Sequence, residues 1–537
     1  MSVPAAAAVP AAPATPAPAT TFPWFGLVAV LMGTFISTLN TRLSTLGLAD
    51  IRGAVHAGFD EGAWISTAST VAQMLVTLIA IWLGAVYGTR RSLIGASGAF
   101  AIISMLEPFA PNLPTLLVFQ FLSGLATGFF IPLTLSFVLR NTPPKAWAYG
   151  IAVYALNLEV SLNISASLEG WYTDHLSWRF IFWQNVPFAL IMFLCLYLGV
   201  KPEPVAPTRP RPDIFAFIFG GFGFALIYAA LDQGNRLDWL NSPLIIGLMA
   251  AGCLLLLAFF IHEWHCPYPA VDLRVVLEPP LPRMLLLISF LRLTILSTAL
   301  VIPQFLQTVR GFRALEVGDT LMWIAAPQLL ICLLAGFTLR RADPRMVAVF
   351  GFMCICAACL MIAYGLTPVW GSDEFLPAAI LQAVGQSFAL SGTVFFAVLH
   401  LRPQVALSFG AAIQVARLFG GEIGSAFIQT FVRVRGQVAS NHIGQHLQIG
   451  DADVIQRIQA YGAATARAGD PVSASTRGAS VLNNVVHGAA LTQGIIDAFV
   501  VIAAATALTV IFIVTRRAAP PGPASHMPIF APRKGTP

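Results

Sequence analysis

Six ionisable residues, Arg42, Glu159, Glu169, Arg292, Arg417 and Glu422, fall inside long apolar runs of the 537-residue chain. An ionised side chain at bilayer depth costs roughly 2.5 to 3.5 kcal/mol even on the lenient insertion scale, so charges kept there have a job. The available jobs are carrying a proton, binding a charged passenger, or pairing with one another to hold helices together. Desolvation moves a buried carboxyl toward proton uptake near neutral pH, whereas an adjacent arginine keeps it ionised. Glu159, Glu169 and Glu422 are therefore candidates for proton coupling, and Arg42, Arg292 and Arg417 for contact with an anionic or carboxylate-bearing substrate.

These residues can act only if helices hold them at comparable depths. The chain is 57% hydrophobic and 10% charged, far outside the range of a soluble enzyme, and apolar runs of about 20 residues recur from Phe25 onward. Backbone groups in lipid must bond within their own segment, so these runs are predicted helices of an integral membrane protein. Fourteen spans are expected, near 24–46, 63–86, 92–109, 114–139, 147–170, 180–199, 214–232, 242–262, 283–306, 318–339, 346–366, 375–399, 406–431 and 489–515.

The net charge of +6 is read through topology, because no basic stripe interleaved with aromatics points to nucleic acid. Arg90, Arg91, Arg140, Lys145, Lys201, Arg209, Arg211, Arg340, Arg341, Arg345, Arg516, Arg517, Arg533 and Lys534 fall in alternate connections or at the C-terminus. Those connections are expected to be cytoplasmic, with both termini inside and the long polar loop at 433–487 outside. Residues 1–21, almost wholly Ala, Pro, Thr and Val, read as a flexible cytoplasmic tail rather than a cleaved signal, and 518–537 as a second tail. The Pro- and Arg-rich link at 201–212 reads as a hinge between two halves.

With outward direction assigned to the first, fifth, ninth and thirteenth spans, Arg42 and Glu169 both approach an outer end and are expected to pair or approach. Glu159, Arg292 and Arg417 share the middle depth, with Glu159 facing cations of the other half. Arg417 and Glu422 are five apart, about 140° round a helix, which is no simple same-face pair. Gly124 and Gly128, and Gly420 and Gly424, have the spacing of close helix packing. The seven cysteines read as small core residues; Cys354, Cys356 and Cys359 have no partner histidine or carboxylate in their span. His262, Glu263 and His265 miss the HExxH spacing and read as a polar helix end, so no metal and no cofactor is expected.

Several segments are more specific. WISTA from Trp64, GWYTD from Gly170, SWRFIFWQNVP ending at Pro187, PAVDLR from Pro269, IPQFLQ from Ile302, RLFGGEIG from Arg417 and DAF from Asp497 carry a resemblance to the major facilitator superfamily. Within it they resemble the fourteen-span EmrB/QacA-like drug:proton antiporters. The resemblance implies an all-α fold of two six-helix bundles, 22–200 and 283–517, with two further helices within 201–282. It also implies rocking around a midplane site, and an expected periplasmic adaptor and outer-membrane channel as partners.

The departures from that family concern coupling. Its first span usually carries an acid where this chain has neutral Asn40, followed by Arg42. An Asp-Arg pair usually stands where Ala85 and Val86 do, and an arginine of the fourth span is replaced near Gln120. Asn40 and Gln120 are thus further substrate-binding candidates. The expected function is proton-driven efflux of amphipathic toxic compounds from the inner membrane. The alternatives are an uncoupled facilitator or exchanger of an anionic small molecule, or a transport-inactive sensor or scaffold. No nucleotide-binding loop or nucleophile–base constellation suggests an enzyme.

Overall fold

The computed structural model describes residues 23–141, 147–200, 212–267, 269–271, 273–277, 281–399, 406–447, 451–464 and 471–515. The two tails, most of the expected hinge at 201–212, and Lys145 lie outside the described residues. What is described is helical, without a strand.

Thirteen helices are long and apolar enough to cross a membrane, from Phe25–Leu46 to Ala474–Val514. The remaining expected span, the thirteenth at 406–431, corresponds to Ala406–Gln445, a helix long enough to cross but interrupted by Gln414, Arg417 and Glu422. Helix parity gathers Arg90, Arg91, Arg340, Arg341 and Arg345 at one end of the bundle, the basic end. There Gly88 takes φ +86°, a conformation open to glycine, to turn the second span (Phe59–Tyr87) into the third (Thr89–Phe109). The Arg90 guanidinium caps the sixth span (Phe180–Gly199) by donating to the Leu196 and Tyr197 carbonyls at 3.1 and 2.9 Å.

Two cores form. One unites Ile36, Phe100, Phe130 and Met192 of the N-terminal half. The other unites Leu291, Val317, Phe352 and Phe499 of the C-terminal half and extends into Ile151, Ala155, Leu158 and Ala166 of the fifth span, Ala148–His175. The fifth span therefore belongs by sequence to one half and by packing to the other. Its seam with the tenth span (Ala314–Arg341) is close along its length: a Cβ on Gly170 would lie 2.3 Å from the Leu315 nitrogen, and one on Gly318 2.5 Å from the Ser167 Cα. The expected small-residue contacts are present too. A Cβ on Gly124 would sit 2.1 Å from the Ser69 carbonyl oxygen, and one on Gly420 2.5 Å from the Ser289 Cα.

The inserted seventh and eighth spans, Ile214–Gly234 and Pro243–His265, form an antiparallel pair. The seventh packs against the second span, where a Cβ on Gly221 would lie 2.9 Å from the Leu75 carbonyl oxygen. It also meets the thirteenth through Phe224 and Phe419, whose ring centroids are 5.4 Å apart. Its connection to the eighth span joins the thirteenth as well: the Trp239 indole donates to the Thr430 hydroxyl at 3.1 Å, and Arg433 pairs with Asp238 at 3.4 Å. The Asn241 amide, followed by Arg433, holds the Asp238 carboxyl below the ordinary aspartate range. That contact is accordingly intact above the ordinary aspartate value and is lost only as pH falls through the lower folded one.

The segment 433–487, expected as a polar loop, is helical over most of its described length. The thirteenth helix runs on to Gln445, Ala452–Ala464 forms a short helix, and Pro471–Val514 runs straight into the last span. Gly462 and Gly478 make the crossing possible, since a Cβ on Gly478 would lie 2.0 Å from the Ile458 carbonyl oxygen. An ion pair between Arg435 and Asp497 at 2.6 Å closes the base of this extension. Polarity alone could not separate loop from helix here: an extension standing clear of lipid has no need of an all-apolar surface.

Candidate functional site

The first, second, fifth, seventh, ninth and thirteenth spans enclose a cavity of about 220 Å³ between the halves. Its wall combines Arg42, Arg292 and Arg417 with Asp232, Glu422 and Tyr228, alongside Thr41, Thr70 and Gln73. Gln429 lines this cavity and also a larger one of about 570 Å³ with Asn235, Gln304, Arg433, Asn441 and His487. A polar path therefore leads from the centre toward the end opposite the basic one. At the basic end the halves are closed in: a Cβ on Gly336 would touch the Tyr149 ring at 3.0 Å, and one on Gly410 the Pro132 carbonyl oxygen at 2.8 Å.

Arg42 reaches the cavity from the first span because of a local defect in the ninth span, Leu281–Thr308. Ser297–Val301 is a π-helical turn, and Pro303 has no N–H to offer the Ala299 carbonyl four residues back. The Arg42 Nη2 donates to that orphaned carbonyl at 2.8 Å, linking the two halves. The expected Arg42–Glu169 pair does not form. Glu169, only 1% exposed, has both carboxylate oxygens without a hydrogen bond and lies beside Gly47, Asp50 and Asp174, away from the cavity. Comparable depth fixed the height of Arg42 but not the azimuth, and the unpaired carbonyl across the interface took its guanidinium.

Glu159, the proton-coupling candidate of the fifth span, lies beside Arg292 and Arg417 of the other half. Fully buried, it lines a small chamber of about 30 Å³ together with Arg292, Arg417 and Tyr154. Arg292 and Arg417 border this chamber and the larger cavity alike, so the carboxylate stands behind the arginines. Its Oε2 accepts from the Gln328 Nε2 at 3.4 Å. Gln328 Nε2 also donates to Gln386 Oε1 at 3.0 Å, Asn163 Nδ2 donates to both glutamine carbonyl oxygens at 3.2 and 3.1 Å, and Gln386 Nε2 donates to the Thr298 hydroxyl of the π-turn at 2.7 Å. A continuous buried relay thus joins Glu159 to the fifth, tenth and twelfth spans and to the defect in the ninth.

Arg292 has no hydrogen bond from its Nε, and its guanidinium lies against Gly421, whose added Cβ would be 3.5 Å from that nitrogen. Arg417 is held by its own helix, donating through Nε and Nη2 to Gln414 Oε1 at 3.3 and 3.1 Å. No ion pair joins Arg417 to Glu422 among the described residues, in keeping with their five-residue separation, although both border the cavity.

Two substrate candidates lie elsewhere. Asn40 is tied inside the N-terminal half, accepting from Asn185 Nδ2 at 2.8 Å and donating to Ser123 Oγ at 3.5 Å. Gln120 is fully buried with neither amide atom bonded, and borders neither the cavity nor the chamber. Conversely, the sequence reading missed Asp232 and Tyr228. Asp232 accepts from the Thr67 hydroxyl and from Gln233 Nε2 at 2.9 Å, and Tyr228 faces Glu422 and Thr70. Their signal was an acid four residues after a tyrosine at the close of an apolar run, which looks the same as a span ending in water.

Two helical halves closing on a charged central cavity define a membrane transporter, not an enzyme. The chain belongs to the Major Facilitator Superfamily, whose profile matches residues 30–425. Among curated relatives it is 28% identical over 376 residues to the probable multidrug resistance protein EmrY of Escherichia coli (strain K12), covering 68% of this chain and 71% of that one. It is 24% identical to the multidrug export protein EmrB of the same strain, over 75% of this chain and 79% of the relative. It is 23% identical to the fatty acid resistance protein FarB of Neisseria gonorrhoeae, over 78% and 82%. These matches bear out the EmrB/QacA-like resemblance. Among solved structures, the human organic anion transporter MFSD10 (TETRAN) superposes with a TM-score of 0.57 at 13% identity, over 91% of this chain and 99% of that one. The proton:xylose symporter XylE superposes with a TM-score of 0.55 at 10% identity, over 92% and 95%. These two likenesses show the fold alone.

Proposed function

We propose that the protein is an inner-membrane exporter of amphipathic compounds bearing a negative charge, working by alternating access with the basic end in the cytoplasm and driven by proton exchange at Glu159. One observation carries the reading. Arg42, Arg292 and Arg417 converge on one cavity while the Glu159 carboxyl stands behind two of them. An anionic passenger supplies the charge that the arginines lack, and the buried Glu159 carboxyl beside them is the group that takes up and releases the coupling proton. The polar path past Gln429 is the exit, and the helical extension around it is the surface for a periplasmic adaptor and its outer-membrane channel. The multidrug and fatty acid resistance names of the relatives support export of greasy molecules.

A second reading, an uncoupled exchanger, is favoured by Asn40. The position that carries an acid in the family is here locked among neutral amide and hydroxyl partners. Uptake into inverted membrane vesicles, with and without an imposed pH gradient, separates the two. Gradient-dependent accumulation of an amphipathic carboxylate supports antiport, gradient-independent equilibration supports the exchanger, and no movement of any compound across a broad panel rejects both.

A further inference from the structure

The inserted seventh and eighth spans carry a second cluster far from the cavity, at the basic end. Asp213 caps the seventh span, its Oδ1 accepting the Ala216 N–H at 3.1 Å. His262 lies in the last turn of the eighth span, and Cys266 is the first residue beyond it. The His262 Nε2 stands 2.9 Å from both carboxylate oxygens of Asp213, and the Cys266 Sγ is 3.5 Å from Asp213 Oδ2. One ligand atom from each of the three residues lies within 4.8 Å of the others.

From these positions we infer that Asp213, His262 and Cys266 form a binding site for a divalent transition metal of the zinc class. Imidazole, thiolate and carboxylate are the donor types such an ion takes. At the usual Zn–N, Zn–O and Zn–S lengths, tetrahedral ligands are separated by roughly 3.3 Å for N···O and roughly 3.5 Å for S···O. The cluster matches the second and needs a few tenths of an ångström of opening for the first. Phe215 and Phe219, one turn apart on the seventh span, pack against the imidazole with ring centroids 5.7 and 6.4 Å from it. The carboxyl-terminal end of a helix, where His262 sits, favours a cation. Buried Glu263 stands next in the chain, its Oε2 accepting the Val271 N–H at 3.3 Å, so the irregular link after Cys266 is drawn back onto the same corner. Binding displaces the Cys266 thiol proton to solvent and fastens the entry of the inserted pair to its exit. Three protein ligands leave a fourth position for water.

The test uses the full chain in detergent, stripped with a chelator and titrated with Co²⁺ and then Zn²⁺. The expected result is saturation at one equivalent, with visible bands of tetrahedral cobalt and a near-ultraviolet thiolate-to-cobalt band that Zn²⁺ abolishes. Cys266→Ser should lose the near-ultraviolet band, and His262→Gln should weaken binding at least tenfold. Absence of saturable bands, or an unchanged near-ultraviolet band in Cys266→Ser, overturns the site. If the variants do not fold, the wild type alone decides: Zn²⁺ should slow alkylation of Cys266 but not of exposed Cys253, and equal rates with and without zinc overturn the site.

Discussion

Arg292 and Arg417 each face two chambers, and what separates their roles is how each is held. Arg417 is tethered to Gln414 one turn back, whereas the Arg292 Nε has no hydrogen bond and its guanidinium lies against a glycine. Arg292→Ala should therefore raise the apparent KM for an amphipathic carboxylate by roughly 10- to 150-fold, the range for one hydrogen bond to a charged group, and leave a neutral analogue unaffected. Equal effects on both compounds would show a packing role instead. Glu159→Gln keeps the shape and the bond from Gln328 but cannot exchange a proton. It should abolish accumulation driven by a pH gradient in proteoliposomes while leaving counterflow exchange of substrate measurable. Much of this was legible in sequence, because a charge inside an apolar run is rare and its depth follows from position. Partner choice was not: Arg42 went to a carbonyl freed by Pro303, and Asp232 was hidden by its place at a span's end.

Helix–helix contact in lipid depends on backbones approaching, and the glycines mark where they do. Gly124→Val puts methyl groups into the Ser69 carbonyl, a backbone atom with no rotamer to yield, and should lower the detergent melting temperature by several degrees at a cost of about 1 to 3 kcal/mol. Gly95→Ala meets nothing within 4 Å and serves as the control, with a melting temperature no lower than wild type. The spacing of Gly124 and Gly128 announced this packing in the sequence. The extension did not announce itself, since its polar helices lack the apolar run that marks a span. It can be tested apart from transport: Gly478→Leu collides with the Ile458 carbonyl and should speed protease cleavage between residues 445 and 480, while transport in proteoliposomes stays at the wild-type rate.

For the whole molecule, the fifth and tenth spans form a close seam, and the proposed alternating access would turn about it. Ser167 donates to the Gly318 carbonyl at 2.9 Å, and Gly170 abuts the Leu315 backbone, both far from the basic end. Gly170→Val should spread the end opposite the basic one and raise the rate at which a cysteine placed at Ser425 reacts with an impermeant maleimide added to that side. An unchanged rate would show that this contact does not hold the seam.

The placement of the seventh span has a consequence for where a passenger goes. In this conformation Tyr228 and Asp232 stand in the gap between the second and thirteenth spans, and close glycine contacts seal the opposite seam. Helix packing thus fills both sideways seams, while Gln429 is shared by the central cavity and the larger one toward the extension. On the proposed export function, a greasy molecule leaving past Gln429 would meet the helical extension before the lipid, which would keep it from dissolving straight back into the leaflet.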